Sequence, residues 1–409
     1  MGVRIKHWSF TILLYVFFLF LIVQSNNLFA SNVINILDVG AKGDGVTDDT
    51  NSIQRALNII SLKGGGTVII PTVSSHYKIS ETLFIGSNTR LEFQDSFLKL
   101  YDYTSIGTVL INHEGSTNIT IVNPKLDGNN IFAGGTGENG ISFIHGGYGR
   151  VIGGIIKNFR SGNIAFKLGG KGIQVENRSV DDFVVDGTKI YNSTFALSTL
   201  FNINENKKNN TGIKVTYKNI YAENCSGFSL IQQVDGLKES STNHSVSIEN
   251  FVSNNCGFND GVFQFSRARG FRLLNGIVTG KTLVESIFRG RHSEGFISNI
   301  KIFQPARSII DLRPGIHIQA TTKSESNQYF LKLYNAYTYL LYSTPDYTYS
   351  FRELFNSSIT VNSYAKYKKE IILPQAIFHN SVLVFNHISK ADSSYVESKV
   401  GGLLDLYQE

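Results

Sequence analysis

Several kinds of residue are scarce in this chain, and each scarcity removes a class of answer. Two cysteines, Cys225 and Cys256, in 409 residues cannot make a disulfide scaffold, and no metal cluster can be built from them. Charged and low-complexity runs are missing from the interior, so nothing resembles a linker, and one elongated domain is expected rather than two. Lysine and arginine are scattered, with no basic stripe. The formal charge of +6 is therefore a poor match for nucleic acid, while an anionic glycan remains a partner in keeping with it. Only one long apolar run exists, Phe10 to Val23. It is shorter than the roughly 20 residues that span a bilayer. With Arg4 and Lys6 before it and polar residues from Gln24 on, residues 1–30 are laid out as a secretory signal peptide, or as an uncleaved N-terminal anchor. In either case the body, from residue 31, is expected outside the cytoplasm, secreted or periplasmic, with membrane contact only through that segment.

Glycine (38) and phenylalanine (29) are plentiful while proline (6) and methionine (1) are not, which suits many short strands joined by tight turns. The stretch Asn35 to Pro71 organises the rest. Ile34, Ile36 and Val39 suggest a short strand; Gly40, Gly43 and Gly45 stand where the backbone must turn sharply and adopt positive φ. Asp48 or Asp49 is placed to cap a helix whose apolar stripe is Ile53, Ala56, Leu57 and Ile60. Gly64 to Gly66 end it, and Thr67 to Ile70, β-branched and closed by Pro71, predict a strand laid beside it. Short alternating runs follow at Leu83 to Ile85, Leu91 to Phe93 and Phe97 to Leu100. From Asn118 a repeat emerges, starting at Asn118, Arg150, Phe183, Val215, Val246, Phe271 and Phe296, at spacings of 32, 33, 32, 31, 25 and 25 residues. Such a period marks a solenoid.

In DVGAKGDGVTDDTNSIQRAL, GGGTVIIP and the later Tyr77-Lys78-Ile79-Ser80, the cap resembles the pectate-lyase superfamily, including its polygalacturonase-like branch. It departs at Thr72 to Ser75, where the usual PxG turn is missing. The resemblance implies an all-β fold: a single-stranded right-handed parallel β-helix, residues 31–320, with an N-terminal capping helix within a cap at 33–71. It says almost nothing about chemistry, because hydrolases, lyases, epimerases and phage tailspikes share this cap. It also allows a homotrimer.

Aligning the repeats brings Asn158, Asn192, Asn224 and Asn255 to one turn, followed by Thr279 and Gln304, as a column of amides bonded from coil to coil. The same alignment stacks Cys225 on Cys256, either as a free buried pair or as a disulfide. Longer coils are expected to carry loops, Asn202 to Thr211 and Leu237 to His244, that wall one side of a groove. After Gly315 the rhythm fails and tyrosines crowd between Tyr329 and Tyr349. Residues 321–409 are thus expected to form a different structure packed on or after the last coils.

Outward side chains of stacked coils form columns about 4.8 Å apart, so chemical groups distant in sequence can meet on one face. Asn259-Asp260-Gly261 is similar to the NTDG segment carrying one catalytic aspartate in polygalacturonase-type hydrolases, although the paired Asp-Asp, Gly-His-Gly and Arg-Ile-Lys motifs of that family are missing. By alignment Gln264, Glu285 and Asp311 form one column and Arg267, Arg289 and Arg313 another, with Arg291 and His292 close by and Asp260 beside Lys281. Asp260, Glu285 and Asp311 are the catalytic candidates; Gln264, Arg267, Lys281, Arg289, Arg291, His292 and Arg313 are the candidates for binding substrate. Glycoside hydrolysis needs two carboxyl groups, about 5 to 5.5 Å apart for retention or 6.5 to 9.5 Å for inversion, so Glu285 with Asp311 suits the first and Asp260 with Asp311 the second. The arginines fit uronate carboxylates, which they can hold in bidentate fashion. The alternative is a ladder of surface ion pairs.

The leading expectation is a glycoside hydrolase acting on an acidic polysaccharide. β-Elimination by a lyase and glycan binding or exopolysaccharide assembly without turnover are the alternatives. No cofactor is expected, save Ca²⁺ for a lyase, for which Asp181-Asp182 could supply oxygen ligands. Asp127 and Glu138 are expected in solvated turns.

Overall fold

The computed structural model describes residues 32–101, 108–113, 115–129, 139–144, 147–159, 171–177, 182–201, 214–233, 245–258, 261–266, 268–291, 294–304 and 306–312, together with short strands between residues 330 and 408. The cap forms much as its sequence dictates. Val33–Asn35 is a strand, but Ile36–Val39 is a 3-10 helix rather than its continuation, because the Asn35 side chain turns back to accept from Leu37 N at 2.9 Å. The helix Thr50–Leu62 buries Ile53, Ala56, Leu57 and Ile60, as the spacing requires, and Gly66–Ile70 follows as a strand. Asp49 stands at the N-cap, yet its carboxylate does not cap. It accepts instead from Lys42 N at 2.6 Å and Gly43 N at 3.1 Å, and so clamps the preceding glycine turn to the helix. Gly43 has φ 60, and a Cβ there would stand 2.8 Å from Val73 Cγ1 and 2.9 Å from Tyr77 Cε1, so both conformation and space demand glycine.

Beyond the cap the chain winds as a parallel β-solenoid. Strands join a 17-stranded and a 10-stranded sheet, and every pairing within these two sheets is parallel among the described residues. The repeat alignment holds where Phe183, Val215, Val246 and Phe271 pair in succession. It slips by one residue at both ends, where Gly149 rather than Arg150 meets Phe183, and Gly295 rather than Phe296 meets Phe271. Alternate side chains point inward and fill the tube with aliphatic and aromatic columns. Phe228, Phe251, Phe263 and Phe288 interlock there with ring centroids 5.1 to 5.4 Å apart.

The asparagine column exists. Asn158, Asn192, Asn224 and Asn255 all have φ between 51 and 65. Asn192 Nδ2 donates to Asn158 Oδ1 at 3.1 Å, and Asn255 Nδ2 to Asn224 Oδ1 at 3.0 Å. Asn tolerates this left-handed conformation better than most residues, so one residue type solves both the turn and the bonding between coils. Thr279 is not its continuation, because it pairs with Asn254 and leaves Gly280 at the next position. Gln304 does reach the ladder's end, donating to Cys256 O at 2.8 Å. Cys225 and Cys256 are buried and unbonded.

Stacking also runs past residue 320. Phe330–Tyr334 pairs with Glu294–Ile302, and Ser350 pairs with Asp311. Among the described residues antiparallel pairing appears only further on, among Val382–Ile388, Ser394–Val400 and Leu403–Gln408. The loops Asn202 to Thr211 and Leu237 to His244 lie outside the described residues.

Candidate functional site

The late coils of the 10-stranded sheet are the strands Phe263–Ser266, Val284–Arg291 and Ala306–Leu312. Phe263 pairs with Phe288 and the rings stack inside the tube at 5.4 Å. The residue after each of them therefore turns to the outer face. Those residues are Gln264 and Arg289, which pair with one another, and Arg289 pairs in turn with Asp311. Gln264, Arg289 and Asp311 thus share one register position on three consecutive coils. Gln264 and Arg289 are each only 8% exposed, so both side chains are largely covered by neighbouring residues. Gln264 is oriented by its own turn, with Nε2 donating to Gly261 O at 3.3 Å. Two residues along, Glu176, Leu200, Gln232, Ser266 and Arg291 share a second register position.

This register corrects the sequence alignment by four residues. Arg289, not Glu285, stands beside Asp311. Glu285 is exposed near the start of its strand, about 13 Å along it from the Arg289 position at roughly 3.3 Å per residue, so it does not form the close pair with Asp311 that a retaining mechanism would use. Glu285 and Arg289 both lie on the outer face, so sequence alternation alone matches either of them to Gln264. The side chain that fixes the frame is inward Phe288, matched to Phe263. Arg289 accordingly leaves the proposed arginine column and joins the glutamine and aspartate. Lys281 is exposed in the turn before Val284. Arg291 and Asp311 are placed by their strands, whereas Asp260, Arg267, His292 and Arg313 lie outside the described residues. Gly261, the residue after Asp260, is packed on the next coil: a Cβ there would be 2.8 Å from Ser286 Oγ and 3.3 Å from Arg289 Cβ.

Other acids have structural tasks. Asp127, expected in a solvated turn, is 9% exposed and starts the asparagine ladder, accepting from Asn158 Nδ2 at 2.8 Å and lying 3.4 Å from Lys157 Nζ. Its place is marked by the 31-residue step to Asn158, the same step that separates Asn224 from Asn255. Asp182 lies 3.8 Å from Lys214 Nζ, so an ammonium group stands close to one of the two acids considered for Ca²⁺; Asp181 and Glu138 lie outside the described residues. Among the described residues no group of three or more His, Cys, Asp or Glu side chains is placed to hold a metal.

Comparison with known proteins adds three findings. Residues 33–92 match the family model described as rhamnogalacturonase A/epimerase, pectate lyase-like. Over 46 residues the chain is 52% identical to alginate lyase 7 of Azotobacter vinelandii, and over 59 residues it is 41% identical to the mannuronan C5-epimerase AlgE3 of the same organism. These matches cover 11% and 14% of this chain and only 5% and 3% of those proteins. Among solved structures, a tailspike of an Acinetobacter phage, vb_AbaP_AS12 gp42, is similar over 92% of this chain and 64% of its own, with a TM-score of 0.52 at 12% identity. An exopolygalacturonase from Thermotoga maritima is similar over 91% of this chain and 95% of its own, with a TM-score of 0.48 at 15% identity.

Proposed function

Since the chain belongs to the pectate-lyase and polygalacturonase-like superfamily of parallel β-helices, we propose that it cleaves an acidic polysaccharide on the outer face of its 10-stranded sheet, by hydrolysis. The observation carrying this reading is the column Gln264, Arg289 and Asp311. A forked guanidinium group is suited to grip a uronate carboxylate, and an amide one coil away is suited to a sugar hydroxyl. Asp311 supplies one carboxyl group of the reaction, and Asp260, which lies outside the described residues, is the sequence candidate for the other. Glu285 and Lys281, exposed on the flank, contact the chain beyond the cleaved bond. The relatives support a polysaccharide as substrate, since their names describe a lyase and an epimerase of alginate and mannuronan.

The test is incubation of the full chain with a panel of acidic and neutral polysaccharides, following new reducing ends and ultraviolet absorbance together. Reducing ends without absorbance, on an acidic glycan and lost in Asp311→Asn, support the reading. Absorbance from an unsaturated product would replace hydrolysis by β-elimination. Binding without either signal would make the chain a glycan-binding protein.

A further inference from the structure

We propose that Cys225 and Cys256 are an intramolecular disulfide site that staples two neighbouring coils. The register fixes their relation. Tyr221, Ala222 and Glu223 pair with Val252, Ser253 and Asn254, and the asparagine rungs Asn224 and Asn255 follow on each coil. The next residue in each coil is the cysteine, and Gly257 N donates to Cys225 O at 2.9 Å across the same step. Adjacent parallel strands hold Cα atoms about 4.8 Å apart, inside the roughly 4.4 to 6.8 Å that a disulfide accepts.

Side-chain orientation agrees with this. Each thiol donates to the carbonyl two residues before it, Cys225 Sγ to Glu223 O at 3.5 Å and Cys256 Sγ to Asn254 O at 3.6 Å, so both sulfurs point the same way from equivalent backbones. Burial would raise the Cys256 thiol, but hydrogen bonding from the Cys225 side chain and backbone outweighs it and the value is lowered, as follows when the two groups are within reach of each other. Asn255 bonded to Asn224 holds the step between the two coils, and Gln304 Nε2, donating to Cys256 O at 2.8 Å and Thr282 O at 3.2 Å, anchors the Cys256 coil to those after it.

Closing the bond removes two protons and two electrons from the pair. A small-molecule disulfide such as oxidised glutathione takes the electrons and becomes two thiols. The first cysteine thiolate attacks that disulfide and releases one glutathione thiolate; the second attacks the protein sulfur of the mixed disulfide and releases the other. Both cysteines are fully buried, so the finished fold shields them. The bond therefore forms readily while the coils are stacking and slowly afterwards.

The test is reductive unfolding of the full chain, refolding with oxidised glutathione, then alkylation in denaturant, peptide mapping and a thermal melt. The expected product is lighter by two hydrogens, is alkylated at neither cysteine, yields a peptide joining the two, and melts several degrees above the reduced protein. In Cys225→Ser and Cys256→Ser that gain with oxidant is lost. A parallel incubation of the folded protein with the same oxidant reads the bond without refolding and should form it more slowly. Two alkylated thiols in both arms, glutathione adducts, or bonds between chains would overturn the proposal.

Discussion

Arg289 is the residue on which most of the functional reading turns. It is a largely covered arginine whose strand neighbours are Gln264 on one coil and Asp311 on the other. A charge-assisted hydrogen bond to a uronate carboxylate contributes about 1.5 to 3 kcal/mol, so Arg289→Ala is expected to lower kcat/KM on an acidic glycan about 10- to 100-fold, with Arg289→Lys intermediate because it lacks the forked geometry. Steady-state assays on matched acidic and neutral chains check this, since loss on both equally would assign Arg289 to the fold alone. A second residue sets an acid limit for the cap. Asp44 accepts from Val46 N at 2.9 Å, Thr47 N at 2.7 Å and Thr47 Oγ1 at 2.8 Å, and these hold its carboxyl at about 2, below the usual 3.8. A lowered folded value means that the stabilisation is present above about pH 4 and lost as pH falls towards 2. Wild type and Asp44→Ala should therefore converge in urea stability across that window. The residue scale was only partly legible in the sequence. Gln264, Arg289 and Asp311 were all singled out, but Asp127 passed for a solvated acid because its partner, Asn158, is a coil away and becomes its neighbour only through winding.

The turn columns are what fix one element upon the next. In Asn192→Ala the rung loses its bond to Asn158, worth about 1 kcal/mol, and an alanine must occupy a φ of 51 at about 1 to 2 kcal/mol more. Asn192→Gly loses only the bond and should be milder. Denaturant midpoints of the two variants test the order. This column was legible because its type and spacing coincide: one asparagine per coil, 31 to 34 residues apart. A second bend column was not. It runs through Asn123, Gly153, Gly187, Asn219, Asn250 and Asn275, all at positive φ. Glycine and asparagine both satisfy that backbone, so the residue type changes along the column while the conformation does not, and periodicity in letters disappears. Register within the strands failed for a similar reason. Glu285 and Arg289 lie on the same outer face, and only the inward phenylalanines decide which of them meets Asp311.

At the scale of the molecule, each coil touches its neighbours and little else, so damage should stay local at first. Phe263→Ala opens the ring cluster with Phe228, Phe251 and Phe288 and is expected to destabilise by about 3 to 5 kcal/mol. Hydrogen exchange should show protection falling first in Gly227–Gln233 and Val284–Arg291, with the cap strands Gly66–Ile70 and Thr89–Phe93 preserved; uniform loss would mean that the solenoid melts as one unit. The architecture was legible from the cap motif and the repeat. The continuation of stacking at Phe330–Tyr334 was not, because tyrosine-rich sequence hides the alternation that marks earlier coils. What the winding accomplishes for function is to bring residues 25 and 22 positions apart, Gln264, Arg289 and Asp311, into one line. The most direct measurement is a crystal structure of the Asp311→Asn variant with a bound acidic oligosaccharide. The account predicts sugar density along the outer face of the 10-stranded sheet with a carboxylate on Arg289; sugar bound only on the 17-stranded sheet, away from that column, would contradict it.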